Sequence, residues 1–277
     1  MEVRGDAVTR RRGEEEARSD RVRAGGVPSL RVGPEQELLY GRNAVLEALR
    51  AGKRVRRLLV SPGSLREEHV REAVRLAGRL GIVAEEVSRE QLDGVAPEHQ
   101  GLVAVVSEFV YEGWGDLLER LRGAATSPSV LLLDTLQDPQ NLGTLLRTSE
   151  AVGLDAVILP KKRAVHVTPG VVRASAGAVE HMAVARVPNL VRAVEDLKGV
   201  GMWVAGIDMA GDRLYWELDM TGPTALVLGG EDRGIAPLLK QKCDFLVRLP
   251  MLGRVNSLNA AAAGSIVLYE MVRQRMG

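Results

Sequence analysis

Val130-Leu-Leu-Leu133 is an unbroken apolar run, and a strand apolar on both sides leaves no face for solvent; it belongs inside a parallel sheet covered by helices. Similar runs recur at residues 156–159, 183–187, 202–205, 225–228 and 245–249. Between them the pattern turns helical, most clearly over residues 141–152, closed by Gly153, and over 257–275 at the end of the chain. Repeated strand–helix units predict an α/β domain with a mostly parallel sheet over residues 129–277.

A smaller α/β unit is expected upstream, over residues 36–110. Residues 41–52 read as a short helix closed by glycine, and 57–61 as a strand. Residues 66–80 read as a helix with Val70, Ala73, Val74, Ala77 and Leu80 on one face; strands follow at 82–87 and 100–107. Residues 111–128 read as a linker holding one helix. Residues 1–35 mix Arg10-Arg-Arg12 with Glu14-Glu-Glu16 and carry few apolar side chains. They predict a disordered tail, with an RNA-contacting arm as the alternative. The run Lys53-Arg54-Val55-Arg56-Arg57 suits a phosphate backbone or is a solvated basic turn.

Composition narrows the function classes. A formal charge of +1 gives no global field, so any nucleic-acid footprint must be local. The single cysteine, Cys243, excludes a disulfide framework and a thiolate metal cluster; it suits a reducing cytoplasm and a packing role. His69, His99, His166 and His181 lack metal-ligand spacing, so no metal is expected. The sequence has neither a run of about eighteen apolar residues nor a signal-peptide core at its N-terminus, so a cytoplasmic protein with no membrane partner is expected.

The chemistry concentrates near the C-terminus. An apolar run ends in Leu228-Gly229-Gly230-Glu231-Asp-Arg-Gly234, and a second ends in Leu249-Pro-Met251-Leu-Gly253, followed by Ser257-Leu258-Asn259. Strand ends that break into glycine loops are where open parallel sheets bind ligands. Gly229 and Gly234 have the outer spacing of a P-loop, but Ile235 and Ala236 replace its Lys and Ser/Thr. Nor does the loop spell the dinucleotide pattern, and Glu231 would repel a phosphate. A neutral or cationic ligand, such as a sulfonium, fits better than ATP or NAD. A simple glycine turn between strand and helix is the alternative. Upstream, Asp138-Pro-Gln-Asn141-Leu-Gly143 leads into a helix that carries Arg147 on the face of Gly143, where a glycine leaves room for a ligand. Asn141 is placed as an N-cap, and Arg147 is within reach of Glu150 or Glu231 as an ion pair.

Taken together, these three segments resemble the three motifs of the SpoU/TrmH family of RNA 2′-O-ribose methyltransferases, in the SPOUT superfamily. They stand here as Asn141-Leu-Gly143-Thr-Leu-Leu-Arg147, Leu228-Gly-Gly-Glu231-Asp-Arg-Gly234 and Leu249–Asn259. Tyr40-Gly41-Arg42-Asn43-Ala44-Val45 and His99-Gln100-Gly101 resemble the two ends of the family's ribosomal-protein-like substrate-binding domain. The arrangement is most similar to the RlmB-type subgroup, which methylates guanosine in 23S rRNA; tRNA is the alternative substrate in the family.

The resemblance implies a C-terminal domain with a deep trefoil knot, a homodimer with the knot at its interface, and S-adenosylmethionine as cofactor. The positions carried over as cofactor contacts are Leu228, Gly229, Gly234, Leu249, Met251, Gly253 and Leu258. Arg147 is the activating residue. Its guanidinium pKa, above roughly 12, favours holding the RNA phosphate or stabilising alkoxide charge over acting as a base. Asn141 and Glu231 orient it, while Ser257 and Asn259 shape the pocket. Lys53, Arg54, Arg56, Lys161, Lys162, Arg163 and Arg173 are candidate RNA contacts. Two competing readings are a noncatalytic RNA-binding assembly factor and a generic nucleotide-dependent Rossmann enzyme.

Overall fold

The structure, a computed structural model, describes residues 33, 35–96, 98–230, 233–254 and 257–277. Nearly all of the expected N-terminal tail, and Glu231, lie outside the described residues.

The first unit runs β1 (Gln36–Tyr40), α1 (Arg42–Ala51), β2 (Val55–Val60), α2 (Glu68–Arg79), β3 (Ala84–Glu86), α3 (Arg89–Asp93) and β4 (Leu102–Ser107). Its sheet has the order β1-β4-β2-β3, with β4 antiparallel to both neighbours and β3 parallel to β2. Helix α1 buries Ala44, Val45, Ala48 and Leu49 along one stripe and ends at Gly52, whose φ of 70° lets its N–H reach the Ala48 carbonyl. The expected face of α2 is present at Val70, Ala73 and Ala77, but Leu80 sits past the helix end and is exposed. His99 is buried; its Nδ1 accepts the Gly101 N–H at 2.7 Å and its Nε2 faces Asp93 Oδ1 at 3.0 Å. That histidine shapes the turn into β4.

The second unit runs α4 (Trp114–Arg122), β5 (Ser129–Asp134), α5 (Pro139–Ala151), β6 (Ala156–Pro160), α6 (Pro169–Ala174), β7 (Val184–Val187), α7 (Leu190–Gly199), β8 (Trp203–Ile207), β9 (Arg213–Leu214), β10 (Thr224–Gly229), α8 (Pro237–Lys242), β11 (Phe245–Arg248) and α9 (Ala260–Arg275). The strand order is β7-β6-β5-β10-β8-β11-β9, and every registered pair is parallel. Every residue of β5 and of β10 is buried, as expected for central strands covered on both faces. The chain winds outward from β5 through β6 to β7, restarts on the other side with β8, and only then inserts β10 between β5 and β8. Reversals of this kind open a crevice at the carboxyl ends of the strands.

Two helix starts correct the sequence reading. Helix α5 begins at Pro139, not Asn141, because Asp138 caps it: Oδ1 accepts the Gln140 N–H at 3.0 Å and Oδ2 the Asn141 N–H at 3.4 Å. Helix α9 begins at Ala260, after the cap Asn259. One glycine also serves a different end from the one expected. Gly143 leaves no room for a ligand; a Cβ there would overlap Ala174 of α6 and come within 2.9 Å of the Ser175 nitrogen. Gly264 fits α9 against its own chain, since a Cβ would lie 2.6 Å from Leu145 and 3.0 Å from Leu228.

The two units share one apolar cluster that includes Leu39, Val45, Leu142, Val171 and Val179. Polar pairs cross the same junction. Arg54 Nη1 donates to Glu180 Oε1 at 2.8 Å with both side chains buried, and the Arg173 guanidinium lies 3.8 Å from the centre of the Tyr40 ring.

Candidate active site

Three strand ends and one helix start build a cleft of about 330 Å³. From β8 come Ile207, Asp208 and Met209; from β10, Leu228, Gly229 and Gly230; beyond β11, Leu249 and Met251; ahead of and along α9, Ser257, Leu258 and Ala260. The volume is at the small end of ligand sites, which span roughly 300–1,000 Å³.

The loop after β10 is folded onto itself. Gly234 donates to the Gly230 carbonyl at 3.0 Å. A Cβ at Gly229 would overlap the backbone of Gly234 and Ile235, so only glycine permits the crossing. Gly234 itself has a φ of 61°, which also favours glycine. The loop is moored to the centre of the sheet by Asp134, the last residue of β5: its buried carboxylate accepts the Ala236 N–H at 2.8 Å. On the opposite wall, Asp208 pairs with Lys240 at 2.7 Å.

The chemistry of these walls suits one class of ligand. Leu228, Leu249, Met251 and Leu258 offer apolar surface to a flat heterocycle. The carboxylate that lines the cleft, Asp208, is already matched by Lys240. A ligand with adenosine's apolar faces and a cationic centre fits the donor set.

Most of the residues expected to touch a cofactor meet here: Leu228, Gly229, Gly234, Leu249, Met251 and Leu258, with Ser257 among them. Gly253 is exposed and does not line the cleft. Asn141 and Asn259 stand behind the cleft, with Asn259 Nδ2 donating to Asn141 Oδ1 at 2.8 Å. Arg147 is exposed on α5, does not line the cleft, and has no ion-pair partner among the described residues. Neither Glu150 nor any other described acid engages it.

The basic residues separate into groups. Lys53 and Arg56 are exposed on the first unit, and Lys161, Lys162 and Arg163 are exposed in the turn after β6. Arg54 departs from the expectation of a surface RNA contact: it is 3 % exposed and consumed by Glu180 and the Ser107 carbonyl. Arg173 is half-buried against Tyr40. Asp134, Asp208, Lys240 and Arg233 escaped the sequence reading. Asp134 ends β5 and Asp208 follows β8 at the same sheet edge, whereas Lys240 lies in α8, so the rule that located the glycine loop would have found Asp208 had the end of β8 been placed. Cys243 packs as expected, with burial pushing its thiol up to about 11.

Comparison with known proteins places this geometry. The chain matches the model of the SpoU rRNA Methylase family over residues 128–269, and that of the RNA 2′-O ribose methyltransferase substrate-binding domain over residues 38–112. YacO of Bacillus subtilis, which carries a TrmH-family tRNA/rRNA methyltransferase name, is 40% identical over 242 residues, covering 87% of this chain and 97% of that protein. Among solved structures, the SpoU methyltransferase AviRb from Streptomyces viridochromogenes superposes with a TM-score of 0.74 at 29% identity, over 87% of this chain and 90% of that one. The same protein in complex with AdoMet gives 0.72. An AdoMet-bound rRNA methyltransferase from Sinorhizobium meliloti also gives 0.72, at 25% identity, over 86% of this chain and 87% of that one.

Proposed function

We propose that this chain, which belongs to the SpoU rRNA methylase family, methylates the ribose 2′-hydroxyl of a guanosine in 23S rRNA in the cytoplasm. It is an RNA 2′-O-ribose methyltransferase that uses S-adenosylmethionine. The observation that carries the reading is the cleft at the strand reversal, where nine residues of two family motifs converge on one pocket.

The bound cofactor supplies a methyl group on a positively charged sulfur. The glycine crossing at Gly229 and the apolar walls would hold it, and the Asp134 mooring keeps the loop in place. Arg147 positions the acceptor: a guanidinium is a poor base but a good donor to a phosphate or to the oxygen that gains charge as the proton leaves. Alignment of the hydroxyl with the methyl supplies much of the rate.

Arg147 is exposed and does not line the cleft of its own chain, and that favours a homodimer in which it serves the cleft of the partner subunit. The exposed apolar side chains Leu258, Ile266 and Tyr269, on and just ahead of α9, support this face as the contact. The chain's return from β11 to pack α9 on α5 and β10 supports the knotted connection expected for the superfamily. The name of the Bacillus relative covers tRNA as well as rRNA, so tRNA is the second reading. Incubation with labelled S-adenosylmethionine and separate pools of rRNA and tRNA distinguishes them. Label in a 23S guanosine supports the first reading, and label confined to tRNA replaces it.

A further inference from the structure

A second cleft, of about 780 Å³, adjoins the cofactor cleft, and Gly230 and Arg233 line both. Its far wall is the β5–α5 loop from Thr135 to Asp138, and Arg163 reaches it from the turn after β6.

Two features set this cleft apart. Thr135 and Arg163 hold left-handed backbone, with φ of 56° and 61°. For a residue with a Cβ that conformation is disfavoured, and such strain gathers where the backbone must aim a side chain at a ligand. In addition, the cleft's two cations are free to take one: Arg163 and Arg233 are exposed, and among the described residues neither has a hydrogen-bond or ion-pair partner. The described acid that lines the cleft, Asp138, is engaged by the first N–H groups of α5, which hold its carboxyl below the usual range.

We propose that this cleft seats the acceptor strand, with Arg163 and Arg233 gripping the phosphodiesters that flank the ribose to be methylated. The inference rests on the reading of the adjoining cleft as the cofactor site. A guanidinium forks onto two phosphate oxygens, and two forks in one cleft can fix both ends of one nucleotide. The sugar between them then faces the cofactor cleft across Gly230. Only glycine lets the loop after β10 pack this closely on the β5–α5 loop: a Cβ at Gly230 would lie 2.9 Å from the Thr135 carbonyl oxygen and 3.0 Å from its Oγ1. These contacts hold the backbone and carry no sequence information, so the choice of nucleotide is made elsewhere.

The test uses the full chain with Arg163→Gln, Arg233→Gln and the double variant. Each single change is expected to raise the KM for RNA about tenfold, the size of one charge-assisted hydrogen bond. Affinity for S-adenosylmethionine, read by calorimetry, should stay within about twofold. The slope of log affinity against log salt for RNA binding should fall by about one per arginine removed. Arg→Lys variants should restore the slope but only part of the KM, because lysine lacks the fork. Wild-type methyl transfer with an unchanged KM and salt slope in the double variant would overturn the inference while leaving the enzyme intact. A parallel loss of cofactor affinity would overturn it too, by giving the arginines a role in building the loop. Absence of transfer to any RNA by the wild type would remove the underlying reading, and this inference with it.

Discussion

Asn259 Nδ2 donates to Asn141 Oδ1 at 2.8 Å across 118 residues of chain, while Asn259 Oδ1 accepts the Ala262 N–H at 3.1 Å. One amide therefore caps α9 and clamps its start to the first turn of α5. Ser257 and Leu258, immediately ahead of that cap, form a wall of the cofactor cleft. The shape of the cleft depends on this bond, although neither asparagine lines it.

Replacing Asn259 with alanine removes the cap and one partner of the buried Asn141 amide. The expected loss is about 1–3 kcal/mol in urea unfolding. S-adenosylmethionine affinity should fall with it. Asn259→Ser, which keeps a capping oxygen but cannot reach across to α5, should recover stability without recovering affinity. Equal recovery of both would break the link between clamp and cleft.

Alanine at Gly229 and at Gly264 should behave differently, although both positions are tight. The first meets backbone, at Gly234 and Ile235, and forces the loop open; calorimetry should show cofactor binding lost by more than about tenfold. The second meets the ends of the Leu145 and Leu228 side chains, which can move. Its cost should be about 1–3 kcal/mol of stability, with cofactor affinity largely kept.

The Arg54–Glu180 pair predicts a pH-dependent defect. Burial holds the Glu180 carboxyl above its ordinary value, and Arg54 opposes that shift. A carboxyl raised in the folded state favours folding while protonated; that contribution is whole below the unfolded value and is lost as pH rises through the folded one. Removing Arg54 raises the carboxyl further. Arg54→Ala should therefore be tolerated near pH 4 and become destabilising by about 3–5 kcal/mol toward neutrality. An Arg54→Met/Glu180→Leu double variant should be close to neutral and insensitive to pH. Urea midpoints across the pH range check both.

Much of this architecture was legible in the chain because central strands have no solvent face to disguise them. The run 130–133 became β5 and the run 225–228 became β10, each extended by a residue or two. Short elements escaped: α6 and α8 are one and a half turns each, too brief for a periodic stripe, and β9 is two residues that only the edge of β11 defines. Strand β1 was hidden because it pairs with β4, more than sixty residues later. The glycine loop and the Leu249–Leu258 segment announced themselves through composition. Arg54 misled for the opposite reason. A basic run looks the same whether its members face water or, like Arg54, meet a carboxylate 126 positions away. Gly143 likewise looked like space for a ligand, whereas it is space for α6.

The cleft built by Gly229, Leu249 and Leu258 is proposed to deliver a methyl group to an RNA ribose with the help of Arg147. A 2′-O-methyl group protects the adjoining phosphodiester from alkali, so label transferred from S-adenosylmethionine to rRNA should survive alkaline hydrolysis in a dinucleotide. This product should form with the wild type and be lost with Arg147→Ala, while cofactor affinity stays within about twofold. Alkali-labile label, or full transfer by Arg147→Ala, would contradict it.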